Sequence, residues 1–249
     1  MRPTDPPEPP ATAATADADA RALRDLDAAA AAAPHDPAAA LDPRGPVGWL
    51  ARQIDDDRAR GGFGTWARST VVDEHTREPV LDPPVLAWLQ ARAGLPVEHP
   101  GTDAGLAHVY GYLLSTAATP YGPKRERWTG GALAVALGHD PRHLLPWHRP
   151  DGRTLLERVT DAVLPLLRDP HVPGTLLVRD DPVPGTHDAL RTVVHRGQGV
   201  VGEGGALLYG LVGPDGVRPV TVFPVTASPS WLRETGALPP VPRYNVLLD

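Results

Sequence analysis

The sequence predicts an α+β protein with a mainly helical first half, an antiparallel sheet in the second, and one compact domain. Three observations carry this. Apolar residues recur at helical spacing in several runs between residues 46 and 168, and short β-branched runs separated by Gly and Pro turns follow residue 169. No alternating strand–helix–strand pattern links the halves, which excludes a doubly wound sheet. The predicted organisation is an Ala/Pro-rich tail at 1–44, then a domain at 45–249 that is helical over 45–168 and β-rich over 169–249.

The tail holds 16 Ala and 8 Pro with no aromatic residue, too little apolar area to offset its ordering entropy. Disorder is expected over 1–18, and an Ala-rich helix over 19–33 lacks an apolar stripe with which to dock. From Pro46 a helix carries Val47, Trp49, Leu50 and Ile54 and stops at Gly61-Gly62. Residues 68–72 and 79–81 read as a hairpin. Pro83 and Pro84 open a helix that ends at Gly94. Further helices are expected over 103–117, with Asp103 as N-cap, over 123–138, and over 154–168, where Pro165 is expected to kink or end the last. Strands are expected at 176–178, 189–195, 206–212 and 217–225, the last two joined by Gly213-Pro214-Asp215-Gly216.

Composition narrows function. With no Cys, disulfides, thiol nucleophiles and cysteinyl metal sites are excluded. A net charge of -6 argues against nucleic acid and acidic membranes as partners. No apolar run reaches membrane-spanning length and the Pro-rich start lacks a secretory pattern, so a cytoplasmic protein is expected. One Lys stands against 23 Arg, and Ile, Asn and Phe are also scarce. A scarce residue that persists draws attention, and Lys124 is the first.

The densest chemistry is Tyr121-Gly122-Pro123-Lys124-Arg125-Glu126-Arg127-Trp128. Pro123 fits a first helical turn, so the cations would crowd the positive end of a macrodipole, an arrangement that an anion relieves. A solvated basic turn neutralised by an acidic segment is the competing reading. The preceding helix sets His108, Tyr112 and Ser115 at i, i+4 and i+7, giving one face with a base, a phenol and a hydroxyl. A polar stripe satisfying buried hydrogen bonds fits that spacing equally. His108, Tyr112 and Lys124 are the candidate catalytic residues, and Tyr121, Arg125, Arg127, Trp128, His195 and Glu203 the candidate substrate-binding residues. No metal site is expected: His139 and His143 are four apart, but Pro141 breaks the helix that would align them with His148. Gly197-Gln198-Gly199-Val200-Val201-Gly202 matches a dinucleotide pattern literally, yet a strand follows where a helix is required. A hairpin loop closely approaching a ligand fits better, with Glu203 or His195 facing the cleft. No Gly-x-Ser-x-Gly elbow or Walker lysine motif is present.

The run from His108 through Tyr110-Gly111-Tyr112 and Pro120-Tyr121-Gly122-Pro123-Lys124 to Trp128 resembles the small proteins of azinomycin-type pathways that close an aziridine ring by expelling sulfate. About twenty residues carry the likeness. It implies a substrate borne on an acidic amino-group carrier protein, and no catalytic residue is carried over from it. The sequence therefore points to a cofactor-free, metal-free lyase or transferase of natural-product biosynthesis with a sulfated, phosphorylated or carboxylated substrate. The alternative is a non-catalytic module that binds an acidic partner or an anionic ligand.

Overall fold

The computed structural model describes residues 13–73, 76–97, 101–119 and 122–237. The chain runs through α1 (Ala13–Ala32), α2 (Pro37–Ala40), α3 (Gly48–Arg60), β1 (Arg68–Thr70), α4 (Pro83–Ala93) and β2 (Gly101–Asp103). A π-helical turn at Leu106–Gly111 leads into α5 (Tyr112–Leu114), followed by α6 (Glu126–Thr129), α7 (Ala132–Ala136) and α8 (Leu155–Arg168). Strands β3 (Thr175–Pro182), β4 (Ala189–His195), β5 (Gly204–Gly213) and β6 (Gly216–Thr226) then form an antiparallel meander, and α9 (Pro229–Ala237) packs on β3. This is the α+β arrangement the sequence predicts.

The sheet is joined to the helical half along β6. Ala67 N donates to Pro219 O at 2.9 Å, and Ala104 N donates to Ala67 O at 2.8 Å, so the short β1–β2 pair sits beside the edge strand. Helix α8 covers one sheet face with Leu155, Leu156, Val159, Val163 and Leu167. Thr154 starts it through a capping box with Glu157, and the helix continues through Pro165 to Arg168 instead of ending there. Pro165 lacks a donor, but its neighbours keep the helix together in a packed setting. Gly61 at φ 70° and Gly94 at φ 69° end α3 and α4 in the left-handed region, as the sequence signals predict.

Three expectations are corrected and one is narrowed. The N-terminal segment is a docked helix over the part described: Leu26 and Ala30 of α1 are fully buried, with Ala29 and Ala33 completing a stripe at i, i+3, i+4 and i+7. Three of the four stripe residues are alanine, small enough for close approach and easily missed as an apolar face. Residues 1–12 lie outside the described residues. The helix expected over 123–138 is two short pieces, broken where Gly131 takes φ 72°. The helix expected over 103–117 contains the π turn and stops at Leu114. Strand β1 pairs with β2, and the hairpin expected over 68–81 is present but short: Val72 bridges Pro79, Val80 N donates to Val71 O at 2.7 Å and Asp73 N to Glu78 O at 2.9 Å. Among the described residues, no helix is long and apolar enough to cross a membrane.

Candidate functional site

The π turn decides how the predicted His and Tyr face is presented. Such turns insert an extra residue per turn and frequently mark functional positions. Asp103 Oδ1 accepts from Leu106 N at 2.9 Å and so starts the helical segment, as an N-cap should. Burial pushes that carboxyl up to about 7 against the hydrogen bonds from Leu106 and Gly105. The His108 and Tyr112 rings lie against each other at a 33° tilt, with centroids 4.8 Å apart. Ser115 lies beyond the helix end, its buried Oγ without a hydrogen-bond partner among the described residues.

Both nitrogens of His108 are engaged. Nδ1 donates to Val220 O at 2.6 Å, so Nε2 accepts from Ser69 Oγ at 2.9 Å. The ring is buried, and burial, reinforced by the Arg127 and Lys124 charges, pushes its pKa down to about 3 against the Val220 hydrogen bond. His108 is therefore neutral and fixed. A direct general-base role is corrected: no free nitrogen faces a ligand, and His108 instead ties the helical half to β6 through Val220.

The three cations have different fates. Lys124 Nζ lies 2.6 Å from Asp73 Oδ2 and 5.6 Å from the Tyr112 ring centre. Arg125 pairs with Asp27 of α1, and its Nη2 donates to Ser115 O at 3.0 Å. Arg127 has no carboxylate partner among the described residues. Its guanidinium carbon lies 4.8 Å from the Tyr112 ring centre and 5.3 Å from that of Phe223, and Nη1 donates to Thr221 Oγ1 at 2.9 Å. Burial lowers its pKa, with Tyr112 acting the other way. Arg127 is half-buried as a residue, and the bond to Thr221 is the one hydrogen bond its guanidinium makes among the described residues. The macrodipole argument for this cluster does not survive, because α6 spans only four residues. Ring stacking, not a helix end, holds the charge.

The other predicted residues divide clearly. Trp128 is a core residue, buried with Nε1 donating to His108 O at 2.9 Å, and not a substrate contact. Tyr121 lies outside the described residues. His195 is buried at the end of β4, and Glu203 is exposed with its carbonyl accepting from Ala227 N at 2.6 Å. No hydrogen bond, ion pair or ring contact among the described residues joins either to the Tyr112 cluster. Gly197 packs so closely on Gly138 that a Cβ would lie 2.2 Å from Gly138 N, so a chain crossing explains this glycine without a phosphate. His139 and His143 stack at 4.3 Å, with His143 pushed down to about 4 chiefly by burial. Among the described residues no group of three His, Asp or Glu side chains is arranged to hold a metal ion.

Sequence reasoning missed Ser69, Asp73, Thr221 and Phe223, which complete the cluster. Only Phe223 left a signal, as one of two Phe in the chain. The fold and site together define an α+β protein with a ring-clamped arginine where its helical half meets its sheet. No family model matches the chain, and comparison with curated proteins and with solved structures gives no match.

Proposed function

We propose that this protein is a cytoplasmic small-molecule enzyme of specialised metabolism whose substrate carries a sulfate, phosphate or carboxylate, with Arg127 as the anion anchor. The observation that carries the reading is the Arg127 guanidinium, clamped by Tyr112 and Phe223 without a carboxylate partner among the described residues. A guanidinium edge matches such oxyanions with paired hydrogen bonds. Lys124 adds a second positive charge, moderated by Asp73. Together they would stabilise negative charge on a departing group, the largest contribution that preorganised charges make to a reaction of this kind. Expulsion of sulfate with aziridine closure, the chemistry implied by the resemblance, is the specific form of this reading.

The anchored, neutral state of His108 favours a second reading, a non-catalytic module that holds an anionic ligand or an acidic carrier protein. Both readings need Arg127 to bind anions, and thermal unfolding with sulfate, phosphate and small carboxylates tests that. A ligand of the folded state at one hundred times its dissociation constant adds about 2.7 kcal/mol. The response is expected in the wild type and absent in Arg127→Gln; absence in both overturns the proposal. Sulfate release from 2-aminoalkyl sulfates then separates enzyme from module.

A further inference from the structure

Next along the chain from the Arg127 clamp, on α7 and β6, lies a groove with quite different walls. An open groove of about 550 Å³ runs between α7, the loop before β5, and the end of β6. Its walls include Gly131, Ala132, Val135, Val201, Pro224 and Val225, and no charged side chain lines it. Such a volume falls within the range of small-molecule sites. Two of its wall residues are exposed hydrophobics, Val201 at 95% and Val135 at 37%. Glycines make the room: a Cβ on Gly205 would stand 3.2 Å from Ala227 Cβ, and one on Gly131 would stand 3.0 Å from Pro141 Cβ.

Continuity with the clamp follows from spacing on two elements. Gly130 and Gly131, which line the groove, follow Arg127 by three and four residues at the end of α6. On β6, Val225 stands two residues after Phe223 and therefore on the same sheet face, and both pack against the same apolar cluster. Phe223, which holds the cation, and Val225, which lines the groove, therefore set the two features side by side along β6.

We infer that the ligand is an amphiphile, with its anionic head on Arg127 and an apolar body along the groove. This rests on the anion-anchor reading above and adds the substrate class. Neither half alone selects it: inorganic anions leave the groove unused, and a neutral apolar molecule leaves the guanidinium edge unpaired.

Calorimetric titration of the full chain with inorganic sulfate and with butyl, hexyl and octyl sulfate below their aggregation concentrations tests the inference. Affinity is expected to rise about three- to fourfold per methylene until the groove is filled. Ala132→Leu, at an exposed wall position, should flatten that gradient while leaving inorganic sulfate affinity unchanged, and Val201→Ser should weaken it. Arg127→Gln should remove sulfate binding and most alkyl sulfate binding. If sulfate binds and chain length has no effect, the amphiphile inference fails and the anion site stands. Should neither sulfate nor any alkyl sulfate bind, the anion reading itself fails. Chain-dependent binding that persists in Arg127→Gln and is matched by hexyltrimethylammonium also overturns the inference, because the groove would then be a general apolar surface.

Discussion

Tyr110 and Tyr112 sit two residues apart on the π-helical segment and its continuation, and they enter opposite kinds of polar environment. Tyr110 donates its hydroxyl to Asp57, whose other oxygen accepts from Thr154 Oγ1 at 2.6 Å. Nearby, the fully buried Arg158 donates to the carbonyls of His143, Leu145 and Thr154, and Gln53 bridges Pro146 O and Leu155 N. The bonds in that node tie α3, α8, the π-helical segment and the turns at 143–146 together. Around Tyr112, by contrast, Lys124 and Arg125 are paired with acids while Arg127 has only the Thr221 hydroxyl and two rings, with no acid among the described residues. A buried polar group that is fully satisfied specifies architecture, whereas a cation held in place by rings and left without a counter-charge is available to a ligand.

The comparison is broken most severely at the closed node. Arg158→Met removes three side-chain hydrogen bonds and leaves His143 O without its donor, while Thr154 O and Leu145 O keep Arg158 N and His148 N; it is expected to cost about 3 kcal/mol, read as a lower urea midpoint. Anion response should persist in whatever fraction folds. A loss below about 1 kcal/mol would show that water satisfies those carbonyls and that the node is less closed than its geometry indicates.

Asp57 of the closed node and His108 beside Tyr112 titrate in opposite directions. Burial, opposed by the Thr154 and Tyr110 hydrogen bonds, raises Asp57 from 3.8 to about 6, so its contribution is present at low pH and is lost as pH rises from about 4 to 6. Asp103 acts with the same sign up to about 7. His108, lowered from 6.5 to about 3, contributes stability that is present above 6.5 and lost as pH falls toward 3. These slopes oppose one another between pH 4 and 6. Asp57→Asn should make stability climb more steeply with pH across that window, and His108→Gln less steeply, each by up to about 1.4 kcal/mol per pH unit. Denaturant midpoints at half-unit pH intervals check both signs, and parallel profiles for the two variants would contradict the assignment.

Arg127→Gln should separate function from architecture. Removing a partly exposed, unpaired cation is expected to change stability in plain buffer by less than about 1 kcal/mol, while the thermal response to sulfate disappears. A large loss without anion would make the Tyr112–Arg127–Phe223 stack a structural brace.

Legibility followed the range of the interactions involved. The glycine stops at Gly61 and Gly94, the start of α8 at Thr154 and all four strands of the meander are local, and each could be read from a few residues. What escaped depends on distant partners. Docking of α1 needs Asp19 to meet Arg142 and Trp147, more than one hundred residues away. Ser69 and Val220 lie far along the chain on either side of His108, so their clamp on it has no sequence signature. Arg127 and Tyr112 were legible as residue types with suitable chemistry, but the partner that sets their geometry, Phe223, lies on β6.

The smallest expected effect asks whether pairing, rather than position, decides which cation is available. Arg125 is two residues from Arg127, yet its charge is taken up by Asp27 of α1, whose side chain is 55% exposed. Asp27→Ala is expected to cost only about 0.2–1 kcal/mol, as exposed ion pairs do. It also leaves Arg125 with its bond to Ser115 O and no acid, a state resembling that of Arg127 without the rings. If ring clamping matters beyond the absence of a counter-charge, this variant gains no additional sulfate affinity at low salt. A gain that vanishes at high salt would instead mean that any unpaired cation on this surface recruits anions, and that Arg127 owes its role to the lack of an acidic neighbour alone.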